Sequence, residues 1–327
     1  MRRLLENYAA RLWLKEQPPL VWRSLSRIYR LALGKKWQRP DERPSRPVIV
    51  VGNLTVGGTG KTPVVMALAR QLSSAGYQPA VISRGYGGRP GQDLLRVQPG
   101  DDPRRVGDEP ALMASSLQVP VWIARRRRLA LEAAIESGAD AVIADDGLQH
   151  ADLPRSFEIV VIDGQRGLGN GWLLPAGPLR GPLERLKQAD RILIKAPRTA
   201  TALPQGGSFE LRARALVGLA DGRRRDPGHL AGRRVSAVCG IGQPAQFAAL
   251  LEGLGMQVDL HAFPDHHDYC LSDLDGISGP VVTTAKDAVK LKRLGTLPVP
   301  VEVLEIEAVL PSELSADVVD HVRKFQP

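Results

Sequence analysis

Thr55-Val56-Gly57-Gly58-Thr59-Gly60-Lys61-Thr62 is the stretch that decides the fold of this chain. It follows the apolar run Val48-Ile49-Val50-Val51 and precedes an apolar-periodic segment from Val64 to Leu72. Strand, glycine-rich loop and helix in that order form the setting of a phosphate-binding loop. The glycines let backbone N–H groups turn inward on a phosphate. Lys61 can reach the β- and γ-phosphates of a nucleotide, and the Thr62 hydroxyl can sit on Mg²⁺. Pro63 falls in the first helical turn, where a missing N–H costs nothing. The usual spacing wants a glycine where Thr55 stands, so the loop is a variant. A plain structural turn is the competing reading.

Outward from this loop, residues 48–200 alternate strand and helix. Strands are expected at Val48–Val51, Pro79–Ile82, Val119–Ile123, Ala141–Ala144, Ile159–Ile162 and Arg191–Ile194. Helices are expected at Pro63–Ala75, Pro110–Ser116, Arg126–Ser137 and Pro182–Gln188. The strands are apolar throughout, as in a parallel sheet covered on both faces. The pattern is α/β and doubly wound, with ligands bound beyond the carboxyl ends of the strands. Residues from about 198 to 232 shift toward Thr, Ala, Gly, Pro and Arg, and 206–232 read as an interdomain connection. A second, smaller α/β pattern follows over 233–327: strand Val235–Cys239, helix Pro244–Leu254, strands Gln257–Ala262, Val281–Thr284 and Val299–Ile306, and a helix from Pro311 to Phe325. The expected organisation is thus an arm over 1–46, a nucleotide-binding core over 47–205, the connection, and the smaller domain.

Four more polar or glycine-rich loops stand at expected strand ends and should converge with the first on one sheet edge. They are Ser83-Arg84-Gly85-Tyr86-Gly87-Gly88, Gly107-Asp108-Glu109-Pro110, Asp145-Asp146-Gly147-Leu148-Gln149-His150, and Gly169-Asn170-Gly171 leading into Leu174 to Arg180. Phosphoryl transfer needs a metal bridging phosphate oxygens and a group that accepts the nucleophile's proton. Asp145, directly after an apolar strand, is where a nucleotide-hydrolysing fold presents a metal-side acid; Asp146 points elsewhere. Asp108 and Glu109 form a second acidic pair, with a helix N-cap as the competing role for Asp108. In the second domain, Asp265-His266-His267-Asp268 offers a histidine to orient or relay a proton for a carboxylate base; four convergent metal ligands are not evident. Thr283 to Lys290 reads either as a helix start with solvated lysines or as a nucleotide or interdomain contact.

The 327 residues suggest two domains, and 43% hydrophobic with 24% charged residues is ordinary for a globular protein. Cys239 and Cys270 are too few for a disulfide framework or a thiolate metal site. No apolar run approaches a membrane span and the start lacks a signal-peptide core, so a cytoplasmic location is expected. Much of the net charge of +9 lies in residues 1–46, where twelve Lys and Arg face four acids. This arm reads as two basic amphipathic helices split at Pro18-Pro19. One carries Leu4, Leu5, Tyr8 and Leu12; the other carries Trp22, Leu25, Tyr29, Ala32 and Leu33. Such helices suit an anionic membrane surface. Packing on the protein's own core is the alternative. No nucleic-acid-binding signature accompanies the arm, and no obligate protein partner is inferred.

Taken together and in order, these blocks resemble the tetraacyldisaccharide 4'-kinase family. The matching blocks are Val51 to Thr62, Ser83 to Gly87, Val106 to Pro110, Asp145 to His150, Gly169 to Arg180, Gly240-Ile241-Gly242, Phe263 to His267 and Thr284 to Leu291. The resemblance implies a P-loop kinase core with a smaller C-terminal α/β domain that closes over nucleotide. It implies ATP and Mg²⁺, and an acylated glucosamine disaccharide 1-phosphate as acceptor. It implies Asp108 as base assisted by His266, the two meeting only on domain closure. Thr62, Glu109 and Asp145 are then expected at the metal, and Asp146, Gln149, His150, Arg84, Tyr86 and Asn170 at the substrate. Two positions depart from the family: Gly181 stands where Glu often follows Pro-Leu-Arg, and Gly88 where a basic residue usually follows Arg-Gly-Tyr-Gly. The rival readings are a P-loop nucleotide-hydrolysing switch protein and a non-catalytic nucleotide-binding membrane scaffold.

Overall fold

The computed structural model describes residues 12–13, 15–34, 36–89, 91–200 and 202–326. Leu4, Leu5 and Tyr8 of the first expected arm helix lie outside the described residues. The elements run α1 (Leu20–Leu33), β1 (Val48–Gly52), α2 (Lys61–Ser74), β2 (Pro79–Ser83), β3 (Leu94–Val97), α3 (Pro103–Val106), α4 (Asp108–Ser116) and β4 (Val121–Ala124). Then come α5 (Arg127–Glu136), β5 (Ala141–Asp145), β6 (Phe157–Asp163), β7 (Arg191–Lys195), β8 (Gly207–Gly218) and β9 (Arg224–Arg225). The chain continues through β10 (Arg234–Cys239), α6 (Pro244–Gly253), β11 (Gln257–Ala262), β12 (Val281–Thr284), α7 (Ala285–Leu291), β13 (Val301–Val309) and α8 (Ser312–Lys324). Two compact units result: Met1–Ile82 with Arg127–Glu210 and Leu310–Pro327, and Ser83–Arg126 with Leu211–Val309.

The first unit is a parallel sheet in the order β7-β6-β1-β5-β2. Every residue of β1, β2, β5 and β6 is buried, which explains why these strands read as unbroken apolar runs. β1 is the strand where the order turns from one side to the other, and a ligand crevice opens at such a point. Helix α2 buries Val64, Val65, Met66, Leu68, Ala69 and Leu72. Each large apolar side chain so buried contributes about 1.5–3 kcal/mol. Helix α8 closes the unit through buried Leu314, Val318 and Val322, a Gln71 Nε2 to Ser315 carbonyl hydrogen bond of 2.7 Å and an Arg191–Asp317 ion pair of 2.6 Å.

The second unit has parallel strands in the order β11-β10-β12-β13 around a core of Leu216, Val235, Ala237, Phe247, Leu251, Val282 and Leu304. The antiparallel pair β3–β4 belongs to the same unit.

The structure departs from the sequence reading in four places. The first part of the expected connection is the twelve-residue strand β8, whose start pairs with β7 and whose end pairs with β9. Its buried and exposed residues interleave, so no apolar run marks it. Pro182–Gln188 contains a 3-10 helix, Leu183–Gln188, rather than an α-helix. β3 is only four residues long and was not foreseen. The units also do not follow the chain: Ser83–Arg126 joins the second, and Leu310–Pro327 returns to the first.

In α1 the expected apolar stripe divides. Trp22, Tyr29 and Leu33 are partly buried, whereas Ala32 is exposed. Leu20, Val21, Leu25, Ile28 and Leu31 are 71%, 69%, 42%, 62% and 83% exposed and form an outward apolar face. The helix is held by Ser26 Oγ donating to the Leu173 carbonyl at 2.9 Å and Tyr29 Oη donating to the Arg180 carbonyl at 3.2 Å. Among the described residues no helix is long and apolar enough to cross a membrane.

Candidate active site

The loop after β1 is shaped by its glycines. Gly60 caps α2 at φ 89° and Gly57 sits at φ 93°, conformations that disfavour any side chain. Thr55 needs no such freedom. It bridges to Leu179 in extended pairing, the Asn53 side-chain amide donates to its carbonyl at 2.8 Å, and Val56 N donates to the Pro178 carbonyl at 2.9 Å. This is why the residue departing from the usual spacing is accommodated. Behind Gly60 stand Phe209 and the stem of Lys195, whose ammonium pairs with Asp163 at 2.5 Å. Thr59 is 1% exposed, and its hydroxyl has no hydrogen-bond partner among the described residues. A buried donor in a glycine-rich loop at the start of a fourteen-residue helix fits a phosphate ligand. Among the described residues no group of three or more His, Cys, Asp or Glu could hold a metal alone. Mg²⁺ takes one or two carboxylates plus phosphate oxygens, so Thr62 beside the loop and Asp145 at the end of β5 fit it, both in the first unit.

Asp145 is buried, and its carbonyl accepts from Arg127 Nη2 at 3.1 Å. Asp146 turns away at φ 53°, a left-handed conformation that Asp tolerates better than most residues. Its carboxylate accepts from Arg180 at 3.1 and 3.0 Å and lies 3.8 Å from Lys61 Nζ. Burial alone would raise its pKa, but the Lys61 and Arg180 charges hold it far below the usual carboxylate range. Lys61 Nζ also donates to Asn53 Oδ1 at 3.2 Å, and Arg180 donates to the same oxygen.

The loop Asp145 to His150 is clamped by buried Arg155, which donates to the Gly147 and His150 carbonyls at 2.9 Å each and lies 3.2 Å from Glu158. Glu158 also pairs with buried Arg185. Burial pulls the Arg155 guanidinium down to about 10. Gln149 and His150 are partly exposed on this loop. Asn170 spends its amide on backbone: Nδ2 donates to the Lys15 and Ala176 carbonyls at 3.0 and 3.1 Å, and Oδ1 accepts from Trp172 N at 3.2 Å. Its visible work is to fix the loop that delivers Arg180.

The second unit carries the other cluster. Asp108 opens α4 with Gly107, not Asp108, at the cap position. Its Oδ2 lies 3.0 Å from His266 Nδ1 and 3.4 Å from the buried Lys290 ammonium. Lys290 also pairs with Asp287 at 3.0 Å. Lys286 bonds Asp265 at 2.9 Å and stands 3.5 Å from His266 Nε2. Burial works to raise the Asp108 carboxyl, but the His266 hydrogen bond and the Lys290 and Lys286 charges outweigh it and keep the group low. The Tyr86 ring is 5.5 Å from the His266 ring, and Arg84 is exposed in the same unit. Glu109, expected at the metal, is half-buried in this unit beside Lys286, whereas Thr62 and Asp145 belong to the first. His267 turns instead to Asp273 at 2.9 Å and stacks on Phe263.

Asp108 and His266 were expected to meet only when two domains close. They lie within one compact unit, 3.0 Å apart. The lysines of Thr283 to Lys290 were only ambiguously legible; Lys286 and Lys290 both face the dyad. Both positions that depart from the family pattern are closely approached by other atoms. A Cβ on Gly88 would stand 2.6 Å from the Arg105 carbonyl oxygen and Gly107 N, and one on Gly181 would stand 2.6 Å from the Trp37 ring. Glu184 does not replace the missing acid, because it pairs with Arg30 at 3.0 Å on the surface.

Comparison with known proteins places the chain in a family. The family model described as Tetraacyldisaccharide-1-P 4'-kinase matches residues 19–323. Tetraacyldisaccharide 4'-kinase of Alkalilimnicola ehrlichii is 45% identical over 289 residues, covering 85% of this chain and 86% of the relative. The Alcanivorax borkumensis protein of the same name is 45% identical over 294 residues, with 88% and 89% covered. The crystal structure of the "apo" form of LpxK from Aquifex aeolicus in complex with ATP aligns at a TM-score of 0.71 and 28% identity, covering 92% of this chain and 96% of that one. A family model matched over most of the chain and relatives 45% identical over more than four fifths of it show that the chain belongs to the tetraacyldisaccharide 4'-kinase family.

Proposed function

We propose that this chain transfers the γ-phosphoryl of ATP to the 4'-hydroxyl of a tetraacylated glucosamine disaccharide 1-phosphate. The observation that carries this reading is the Asp108–His266 pair at 3.0 Å. A protein that only hydrolyses or senses nucleotide has no sugar hydroxyl to deprotonate, whereas a kinase needs a proton acceptor for one.

The roles follow from chemistry. The Thr55–Thr62 backbone holds the nucleotide phosphates, and Lys61 supplies charge to the β- and γ-oxygens. Thr62 and Asp145 would hold Mg²⁺, which when bound would neutralise the phosphate oxygens. Asp108 accepts the acceptor's proton, and His266 orients the carboxylate and relays the proton. In the first unit Asp146, Gln149 and His150 serve the acceptor, with Asn170 fixing the loop that carries Arg180; in the second unit Arg84 and Tyr86 do so. Interfacial binding supports an acylated acceptor: the outward face of α1, flanked by Arg23, Arg27 and Arg30, suits the anionic cytoplasmic surface of an inner membrane.

The test is phosphate transfer from labelled ATP by purified protein, with acceptor in mixed micelles. Label is expected in the lipid and only when the 4'-hydroxyl is free. Hydrolysis without lipid labelling would indicate a switch protein, and no turnover a scaffold.

A further inference from the structure

Arg166 has no role in the reading above, yet it lies on the phosphate loop. It follows β6 in a tight turn, where Asp163 Oδ1 accepts from Gln165 N at 3.0 Å and Arg166 N at 3.1 Å. Asp163 is itself fixed by Lys195. The guanidinium then reaches back over Gly57: a Cβ added there would stand 2.6 Å from Nη1. Nη2 points to the Val56 carbonyl at 3.4 Å. So the glycine at 57 does two things. It permits φ 93°, and it leaves room for a guanidinium against the loop backbone.

The charges around the loop make this position unusual. Lys61 and Arg180 are both tied to Asp146. Arg166 is exposed and has no carboxylate within ion-pair distance among the described residues. A folded chain gains little by holding an uncompensated cation against backbone. Such a group becomes useful when an anion arrives, because a guanidinium presents several N–H donors to phosphate oxygens.

We propose that Arg166 is a phosphate-contacting guanidinium supplied in cis, acting on the terminal phosphate of the nucleotide. The inference rests on the phosphate-loop reading given above. As the terminal P–O bond to the β-phosphate breaks and the bond to the acceptor oxygen forms, the electron pair leaves with ADP and the acceptor's proton goes to the base. Negative charge spreads over the terminal oxygens in that passage. Arg166 stabilises it there more than in the bound ground state, as arginine fingers do.

Arg166→Ala and Arg166→Lys separate this from simple propping of the loop. Loss of one such preorganised donor typically lowers kcat by ~10²–10³. That drop is expected for Arg166→Ala, with ADP affinity and melting temperature unchanged. Added guanidinium ion should restore part of the rate, and Arg166→Lys should fall between. Should the alanine variant melt early, Arg166→Met keeps the aliphatic stem and carries the same test. Wild-type kcat in the alanine or methionine variant overturns the proposal. So does equal loss of ATP and ADP binding without guanidinium rescue, which marks a prop. Failure of the phosphate-loop reading itself would be recognised separately, by Lys61→Ala leaving nucleotide affinity and turnover intact.

Discussion

Asp146 and Asp108 are both acids with lowered pKa values, yet their surroundings differ in kind. Asp146 is fixed between the Lys61 ammonium and the Arg180 guanidinium. Asp108 meets a histidine first and two lysines beyond it. The first carboxylate is a permanent counter-charge that sets where the cations point. The second is hydrogen-bonded to an imidazole, a group with one ring nitrogen that can donate a proton and one that can accept it, so it can hand a proton onward. Charge lowering alone therefore does not identify a base; the identity of the partner does.

The largest effect should come from the cation that ties Asp146 to phosphate. Lys61→Ala removes charge from the β/γ-phosphates, and kcat is expected to fall by at least ~10³, the scale of comparable cation losses in phosphoryl transfer. Turnover close to wild type at saturating ATP would break the comparison on this side.

On the other side, Asp108→Ala should lower kcat by ~10²–10⁴ while ATP affinity barely moves, the range for general-base assistance. His266→Ala should act in the same direction. The double variant should be little worse than Asp108→Ala, because groups working as one unit are non-additive. Multiplicative losses would assign the two residues separate jobs.

A smaller, sharper test uses Lys290. Asp108 has a folded pKa below its unfolded value, so its contribution to stability is present above the unfolded value and is lost as pH falls through the folded one. Lys290→Met removes one of the charges holding it down. The acid limb of kcat/KM and the acid loss of melting temperature should both move to higher pH. An unchanged acid limb would mean that His266 alone governs the dyad.

The mildest expected change concerns α1. Ile28→Glu with Leu31→Glu places charge on the outward face without touching Ser26 or Tyr29. Sedimentation with anionic vesicles should fall, while transfer to a short-chain, detergent-dispersed acceptor should persist. Vesicle binding by wild-type protein should itself weaken with salt, since charges are screened over ~10 Å at 0.1 M. Full vesicle binding by the double variant would detach the helix from any membrane role.

What could be read in the sequence divides along physical lines. β1, the loop and α2 were legible because glycine spacing and an apolar run are local signals. β8 was not, because its burial interleaves with exposure and its sequence resembles a linker. The outward face of α1 was misassigned because Trp22 and Tyr29 are as apolar-looking as Leu20 and Leu31, and periodicity does not say which side meets protein. Hydrogen bonding by Tyr29 made the distinction. The Asp108–His266 pair spans distant parts of the chain and was reached only through family resemblance. Arg166 stands alone between glycine-rich turns, with no pattern to mark it; Gly57 records it only as a space left open.

The interleaving of the two units has a consequence for how the protein is made. The chain begins the nucleotide-binding sheet at β1, leaves it after β2, returns at α5, leaves again within β8, and supplies α8 only after β13. A ribosome therefore releases all of the second unit before the helix that seals the first. The phosphate-binding half must wait, partly covered, through most of translation, and it gains Leu314, Val318 and Val322 last. Mutations in α8 that spare every active-site atom should accordingly show up as poor yield of folded protein rather than as slow turnover.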